Sequence, residues 1–296
     1  MAPTPTDVVI CTTIDEMHKQ VALARSSGQT VGCVPTMGYL HEGHASLIRA
    51  AAEHHGLVVV SIFVNPTQFG PSEDFERYPR DLERDLAVLR EAGATHLFLP
   101  SVKEMYPDGA RSTIHIDTIT EVLEGASRPT HFDGVATVVA RLFQAMLPDE
   151  AYFGQKDLQQ TLVIQRLVQT HEDAAIHNTR ITVLPTVREH DGLAKSSRNV
   201  YLNDEDRRNA TVIYTALTHA HDIIMRGERS RSLVEQQMRD ILTRVAGLHI
   251  DYAVAVDAST LRSTADLIGQ RTALCIAVKL GATRLIDNMV VEVPTA

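Results

Sequence analysis

The segment from Leu57 to Val64, Leu-Val-Val-Val-Ser-Ile-Phe-Val, is a nearly continuous apolar run. Such a run fits a strand buried on both faces, the interior position of a parallel sheet. The chain around it supplies partners and crossovers. Thr13 with Glu16 three residues on forms a capping-box pattern, and the helix that follows should stop near Gly28. Thr30 to Val34 is a short β-rich run, Pro35 to Gly43 a turn, and Ala45 to His54 a helix. Asp81 to Glu91 reads as a charged helix ended by Gly93, and His96 to Leu99 as another strand. Val135, Val138, Val139, Leu142, Phe143 and Met146 recur at three- and four-residue spacing, the core-facing stripe of an amphipathic helix. Ala151 to Gly154 is a strand and Asp157 to Gln169 a helix. This alternation argues for an α/β fold with a parallel sheet and right-handed crossovers.

The pattern changes after Arg180. Ile181 to Val187 is β-like, Asp191-Gly192 is a turn, and Lys195 to Asn199 is a polar loop. Two helices follow, Asp204 to Arg226 and Ser232 to Val245, and then three β-rich stretches, His249 to Val256, Thr272 to Lys279 and Arg284 to Val293. Gly281 lies in a connection short enough for a hairpin turn. These elements predict a smaller α+β domain over residues 181–296, after an α/β domain over residues 1–180. A length of 296 residues suits two domains.

The net charge of −9, with no Lys/Arg block, argues against a nucleic-acid partner, which needs a basic face. Cys11, Cys33 and Cys275 sit beside apolar residues without metal or redox spacing, so they read as buried thiols in a reducing compartment. The N-terminal residues show no signal-peptide pattern, and no apolar run reaches the roughly 18 residues of a membrane span. The expected location is the cytoplasm.

Four segments carry candidate chemistry. His41-Glu42-Gly43-His44 follows a strand and opens a helix, where backbone N–H groups and the helix dipole favour anions. The two imidazoles share one helical face, and Gly43 would admit a ligand close to the backbone. The H-x-x-H spacing lacks a third metal ligand, so no metal site is assigned. Phe153-Gly154-Gln155-Lys156-Asp157 lies at a second strand-to-helix turn. There Lys156 can neutralise phosphate charge, and Asp157 can accept from ribose hydroxyls or cap the next helix. Lys195-Ser196-Ser197-Arg198-Asn199 brings hydroxyl donors and a forked guanidinium together, as phosphate binding needs, although a solvated loop has the same composition. Asn65-Pro66-Thr67-Gln68-Phe69 leaves the most apolar strand, where Asn65 and Gln68 can hold a small polar substrate. Of Gln159 and Gln160, one can reach the same cleft with the other exposed.

The order of these segments resembles that of nucleotidyl transferases with an H-x-G-H turn and a mobile phosphate loop. The match narrows with Pro35-Thr36-Met37-Gly38-Tyr39-Leu40-His41-Glu42-Gly43-His44, Val60 to Phe69, Arg128-Pro129-Thr130-His131-Phe132, Phe153 to Asp157, Pro185-Thr186-Val187-Arg188-Glu189 and Ser196-Ser197-Arg198-Asn199. Together they resemble the pantothenate synthetase family from about residue 10 to the C-terminus. The resemblance implies a Rossmann-like first domain, a smaller C-terminal lid domain and a homodimer. It implies ATP, Mg²⁺, pantoate and β-alanine as ligands, and AMP and pyrophosphate as products. By position, Met37 and Val187 would hold the adenine side of ATP, Gly38 would also bind ATP, and Gly154 and Asp157 would meet the adenosine. His41, Gly43, His44, Lys156, Lys195, Ser196, Ser197 and Arg198 would surround the phosphates. His41, His44, Lys156, Ser196, Ser197 and Arg198 would serve catalysis. Gln68 and Gln160 would bind pantoate, with Asn65 lining the cleft.

Three positions depart from the family pattern: Gln155 stands for a usual Glu, Lys195 for an apolar residue, and Arg84-Asp85 for an acidic pair. Lys195 adds a cation beside the phosphates, and Arg84 leaves Asp85 unassigned as an Mg²⁺ ligand. The expected chemistry is attack of the pantoate carboxylate on the α-phosphorus, then attack of β-alanine's amine on the acyl carbon. A nucleotidyl transferase that keeps the nucleotide on its product is the competing enzyme reading. A tRNA synthetase relative and a non-catalytic nucleotide-binding scaffold fit the motifs less well.

Overall fold

A computed structural model describes residues 7–70, 73–263 and 266–293. They form two compact units. One runs up to Gly154 and takes in Gln160–Pro185, and the other holds Gln155–Gln159 and the chain from Thr186 onward.

The first unit is built on six strands, β1 (Val9–Cys11), β2 (Val31–Thr36), β3 (Leu57–Ile62), β4 (His96–Phe98), β5 (Glu150–Gly154) and β6 (Arg180–Leu184). They form one sheet in the order β1-β4-β3-β2-β5-β6, parallel at every pairing. The helices are α1 (Ile14–Ser26), α2 (Glu42–His54), α3 (Leu82–Ala92), the short α4 (Val102–Met105) and α5 (Glu124–Ser127), α6 (His131–Met146), α7 (Leu158–Thr170) and α8 (Ala174–His177). The apolar run at residue 57 becomes β3 and is buried on both faces. Leu57 and Val59 enter a core with Met17 and Val21 of α1 and Phe143 of α6. Val58 and Val60 enter another with Ile48 of α2 and Leu89 of α3. This is the Rossmann-like sheet that the resemblance implies. The capping box forms as expected, with Thr13 and Glu16 closing the start of α1.

In the second unit, α9 (Asp204–Asn209), α10 (Val212–Met225) and α11 (Arg231–Leu242) precede an antiparallel sheet of β7 (Leu248–Asp257), β8 (Arg271–Leu280) and β9 (Thr283–Glu292). Gly281 adopts φ +57° in the hairpin between β8 and β9. Ile213, Leu217 and Ile224 of α10 and Val234 and Met238 of α11 pack on Leu274, Ile276 and Val278 of β8.

Two expectations change. The single helix from Asp204 to Arg226 is two helices, because the chain tightens at Ala210, whose carbonyl accepts from the Ile213 N–H 3.2 Å away. The β-like stretch expected to open the second domain is β6, which pairs with β5 and completes the first sheet. Its register places Arg180 and Thr182 where their side chains bond Glu150. Cys11, Cys33 and Cys275 are buried outside any disulfide, and burial pushes the Cys11 and Cys33 thiols up. Among the described residues no helix is long and apolar enough to cross a membrane.

Candidate active site

Because the first sheet is parallel throughout, the turns after β2, β3 and β5 leave from one edge. The strand order reverses at β2, where the chain steps out through β3 and β4 and then returns to β5 on the other side. Ligands of open α/β sheets lie outside the carboxyl ends of strands at such a point. The H-x-G-H segment follows β2 there. Thr36 ends the strand by donating its hydroxyl to the Ser61 carbonyl (2.7 Å) and accepting from the Gly38 N–H (3.1 Å). Gly38 and Tyr39 both take positive φ, +85° and +51°. What holds this turn is Asp85 of α3, only 1% exposed, whose carboxylate accepts from the N–H groups of Tyr39 (2.8 Å) and Leu40 (2.6 Å). Burial pushes the Asp85 carboxyl up, against the pull of those bonds. Arg84, the residue before it, lies over the Tyr39 ring at 4.3 Å.

α2 starts at Glu42, three residues before the expected start, with His41 as its N-cap. His41 Nδ1 accepts from the Gly43 N–H (3.1 Å), and His44 Nδ1 accepts from the His41 N–H (3.3 Å). The rings lie against each other with centroids 4.1 Å apart and planes tilted by 31°. With both Nδ1 atoms accepting, each neutral imidazole carries its proton on Nε2. The pair is thereby fixed as Nε2–H donors. This corrects one expectation about the turn: the Gly43 and His41 N–H groups are not open but serve the imidazoles. A Cβ at Gly43 would stand 2.9 Å from two atoms of the His41 ring, so the glycine makes room for that ring.

Asn65 is expected to hold substrate, but its amide is committed within the fold. Its Nδ2 donates to the Gly134 carbonyl (3.1 Å) and to Gln68 Oε1 (3.2 Å). Its Oδ1 accepts from the Tyr106 hydroxyl (2.7 Å) and the Thr67 hydroxyl (3.0 Å). Asn65 therefore positions Gln68, whose Nε2 lies 3.1 Å from Met37 Sδ, so these two predicted ligand contacts do meet. Gly134 of α6 lets this turn dock: a Cβ there would stand 2.4 Å from the Thr67 carbonyl oxygen. His131 Nδ1 donates to the Gln68 carbonyl (2.7 Å) while Nε2 accepts from Arg128 (3.1 Å), which also forks onto Glu73. Burial, helped by the Arg128 charge, pushes the His131 ring down to about 4. Burial alone would raise Glu73, but the bonds and charge of Arg128 outweigh it and hold the carboxyl below its usual range.

The cationic segments belong to the second unit. Gln155–Asp157 forms a 3-10 turn after β5, with Lys156 Nζ 3.7 Å from the exposed Asp157 carboxylate. A Cβ at Gly154, just before it, would meet nothing within 4 Å. Neither glutamine that follows is exposed; Gln159 is buried and Gln160, in the first unit, half-buried. Residues 187–195 fold back on themselves, with the Lys195 N–H donating to the Val187 carbonyl (3.0 Å). Lys195 Nζ is 3.0 Å from Glu189, so the extra cation arrives already paired. Ser196 caps a 3-10 turn over Ser197–Tyr201 and accepts from the Arg198 N–H (3.3 Å), while Ser197 is buried. Arg188 forks onto Asp287 of β9 at 2.5 and 3.0 Å, and burial pushes the Asp287 carboxyl up against that pull.

The sequence reading left Asp85 without a role and missed Asp287 and Asn288. Their signal was a polar residue on a core stripe. Asp85 shares the buried face of α3 with Leu89 and Ala92, and Asp287-Asn288 interrupts an apolar strand.

A family model described as pantoate-beta-alanine ligase matches residues 9–290. The pantothenate synthetase of Moorella thermoacetica is 51% identical over 281 residues, covering 95% of this chain and 98% of that protein. The pantothenate synthetase of Acetivibrio thermocellus is 47% identical with the same coverage. A crystal structure of pantothenate synthetase from Thermus thermophilus matches with a TM-score of 0.87 at 44% identity, covering 95% of this chain and 99% of that one. A crystal structure of the Francisella tularensis pantoate-beta-alanine ligase, complexed with beta-gamma ATP and beta-alanine, matches at 0.75 and 36% identity, covering 96% and 97%. The family match spans both units, and the chain belongs to the pantoate-beta-alanine ligase family.

Proposed function

We propose that this chain joins pantoate to β-alanine at the expense of ATP, through a pantoyl-adenylate, releasing pyrophosphate and then AMP. The observation that carries the reading is the close His41–His44 pair, whose Nδ1 atoms both accept backbone N–H groups beside the strand-order reversal. Two neutral N–H donors aimed from a rigid helix start stabilise negative charge that grows on phosphate oxygens in the transition state. The pantoate carboxylate is already a competent nucleophile, so the residues work by placement and charge rather than by proton removal. Gln68 orients pantoate together with Gln160, Met37 and Val187 take the adenine side of ATP, and Gly38 also binds ATP. Gly154 and Asp157 meet the adenosine. Lys156, Ser196, Ser197 and Arg198 neutralise the phosphates. Lys195 acts there only weakly, because Glu189 shares its charge.

Mg²⁺ belongs to the nucleotide substrate in this reading. Among the described residues no group of three or more His, Cys, Asp or Glu side chains is placed to hold a metal ion. An ion that rides on phosphate oxygens and its own waters needs no such cage. The protein acts as a homodimer in the cytoplasm, and analytical ultracentrifugation checks the first of these.

The test mixes protein, ATP, Mg²⁺ and pantoate, with and without β-alanine, and assays both products. Pyrophosphate limited to about one turnover without β-alanine, and AMP in quantity only with it, is the expected result. Pyrophosphate without AMP under all conditions would favour a nucleotidyl transferase.

A further inference from the structure

Asp287 and Asn288 are neighbours in the middle of β9, paired in register with Ile276 and Cys275 of β8. Both are buried, at 5% and 4% exposure, between the buried apolar residues Leu285 and Val291 of the same strand. Successive residues of a strand point to opposite faces, so each needs its own polar partners or pays a desolvation penalty. Each finds them in a different cationic segment.

Asn288 gives both Nδ2 protons to successive carbonyls of the 3-10 turn, Gln155 at 3.0 Å and Lys156 at 2.9 Å. Its Oδ1 lies 3.4 Å from Gln155 Nε2. One carboxamide thus fixes the two peptide planes that flank the Lys156 Cα, and with them the direction in which its side chain leaves. Asp287 takes both terminal nitrogens of Arg188 and the Asn288 N–H (2.8 Å). Arg188 donates onward to the Gly192 carbonyl (3.1 Å) and lies over the Tyr214 ring at 4.4 Å. Arg188 also bridges Ala194, closing the fold-back that delivers Lys195 to Arg198.

We propose that Asp287 and Asn288 are positioning residues for the phosphate-binding groups, holding the Lys156 turn and the segment from Lys195 to Arg198 at one fixed spacing. The inference rests on the roles given above to Lys156 and the Ser196–Arg198 segment. It goes beyond them by assigning the geometry of both to one buried dipeptide bonded within the fold.

The test is Asn288→Asp, which keeps the size but turns an oxygen toward the two carbonyls, together with Asn288→Ala, which removes the donors without adding charge. Lys156→Ala and the double variant Lys156→Ala/Asn288→Asp accompany them. Val291→Ala, a cavity variant in the same strand, controls for lost stability. The expected result is a fall in kcat/KM for ATP of about 30- to 100-fold in both Asn288 variants, the cost of a misplaced catalytic group. KM for pantoate should stay within about twofold, and Val291→Ala should keep normal kinetics at a comparable loss of melting temperature. In the Lys156→Ala background the Asn288→Asp change should cost less than about threefold, since the group it positions is gone. Normal ATP kinetics in either folded Asn288 variant, or an equal loss in both backgrounds, overturns the inference. An active Lys156→Ala enzyme overturns the site reading first, and the inference with it.

Discussion

At His44 one side chain does two things. Its Nδ1 accepts from the backbone of the residue that caps the helix, and its Nε2–H is thereby kept as a donor. His44→Ala should lower kcat by about 10²- to 10³-fold, the usual cost of removing one donor to developing charge. His44→Gln, which can place an amide N–H near the Nε2 position, should recover part of it. Circular dichroism checks that both variants fold, and an unchanged kcat in the alanine variant would remove His44 from the mechanism. Gly134 makes a different demand, because the space a side chain would need is occupied by another residue's backbone. A methyl group 2.4 Å from the Thr67 carbonyl must push the turn carrying Gln68 off α6. Gly134→Ala should cost about 1–3 kcal/mol of stability, as overpacking does. The same variant should raise KM for pantoate more than KM for ATP, which steady-state kinetics with each substrate varied separately can separate.

The helix α3 shows why a site on a parallel sheet needs elements that carry no chemistry. Its Asp85 accepts two N–H groups in a turn where two consecutive residues have positive φ, a conformation with no strand or helix ladder to satisfy its backbone. Asp85→Asn keeps one acceptor and turns an amide donor toward the other N–H. It should cost about 1–3 kcal/mol for the group left unsatisfied, and slow turnover through the His pair that follows the turn. A thermal melt and kcat measured on the same preparation test this; full turnover in a destabilised variant would confine Asp85 to the fold. The elements themselves were legible where local signals coincide, as at the Thr13–Glu16 box, the β3 run and the α6 stripe. Their ligand-facing turns were legible because strand-to-helix connections are short and carry unusual residues. What could not be read were partners distant in sequence. Asp85 meets Tyr39 across 46 residues and Asn288 meets Lys156 across 132, and nothing in the local pattern says which turn a buried polar side chain will serve. The same holds for Arg180, whose strand looked like the start of a new domain until its register placed it beside Glu150.

Across the molecule, the two edges of the parallel sheet are specialised. The carboxyl edge carries the turns with His41, His44 and Gln68. The amino edge carries Glu150, where β5 begins, bonded by Arg180, Thr182 and His55. Burial alone would raise the Glu150 carboxyl, but these bonds outweigh it and hold it at about 2. A depressed carboxylate stabilises the fold above its unfolded value, and the contribution fades as pH falls from about 4.5 toward 2. His131 adds an earlier window. Its ring is held neutral down to about 4, against 6.5 for an ordinary histidine, so the unfolded chain gains a proton first and stability falls as pH drops from 6.5 to 4. Asp85 and Asp287 work in the opposite direction. Their raised values let the folded state bind protons more readily, which adds stability as the pH falls toward the unfolded aspartate value. The His131 contribution is isolated by His131→Asn, which can keep the donor to the Gln68 carbonyl and cannot titrate. Urea unfolding at pH 7 and pH 4 should show the parent losing about 2–3 kcal/mol more than the variant across that interval. Equal losses would mean that the buried ring takes up its proton inside the fold, and that Arg128 and Glu73 rearrange to admit it.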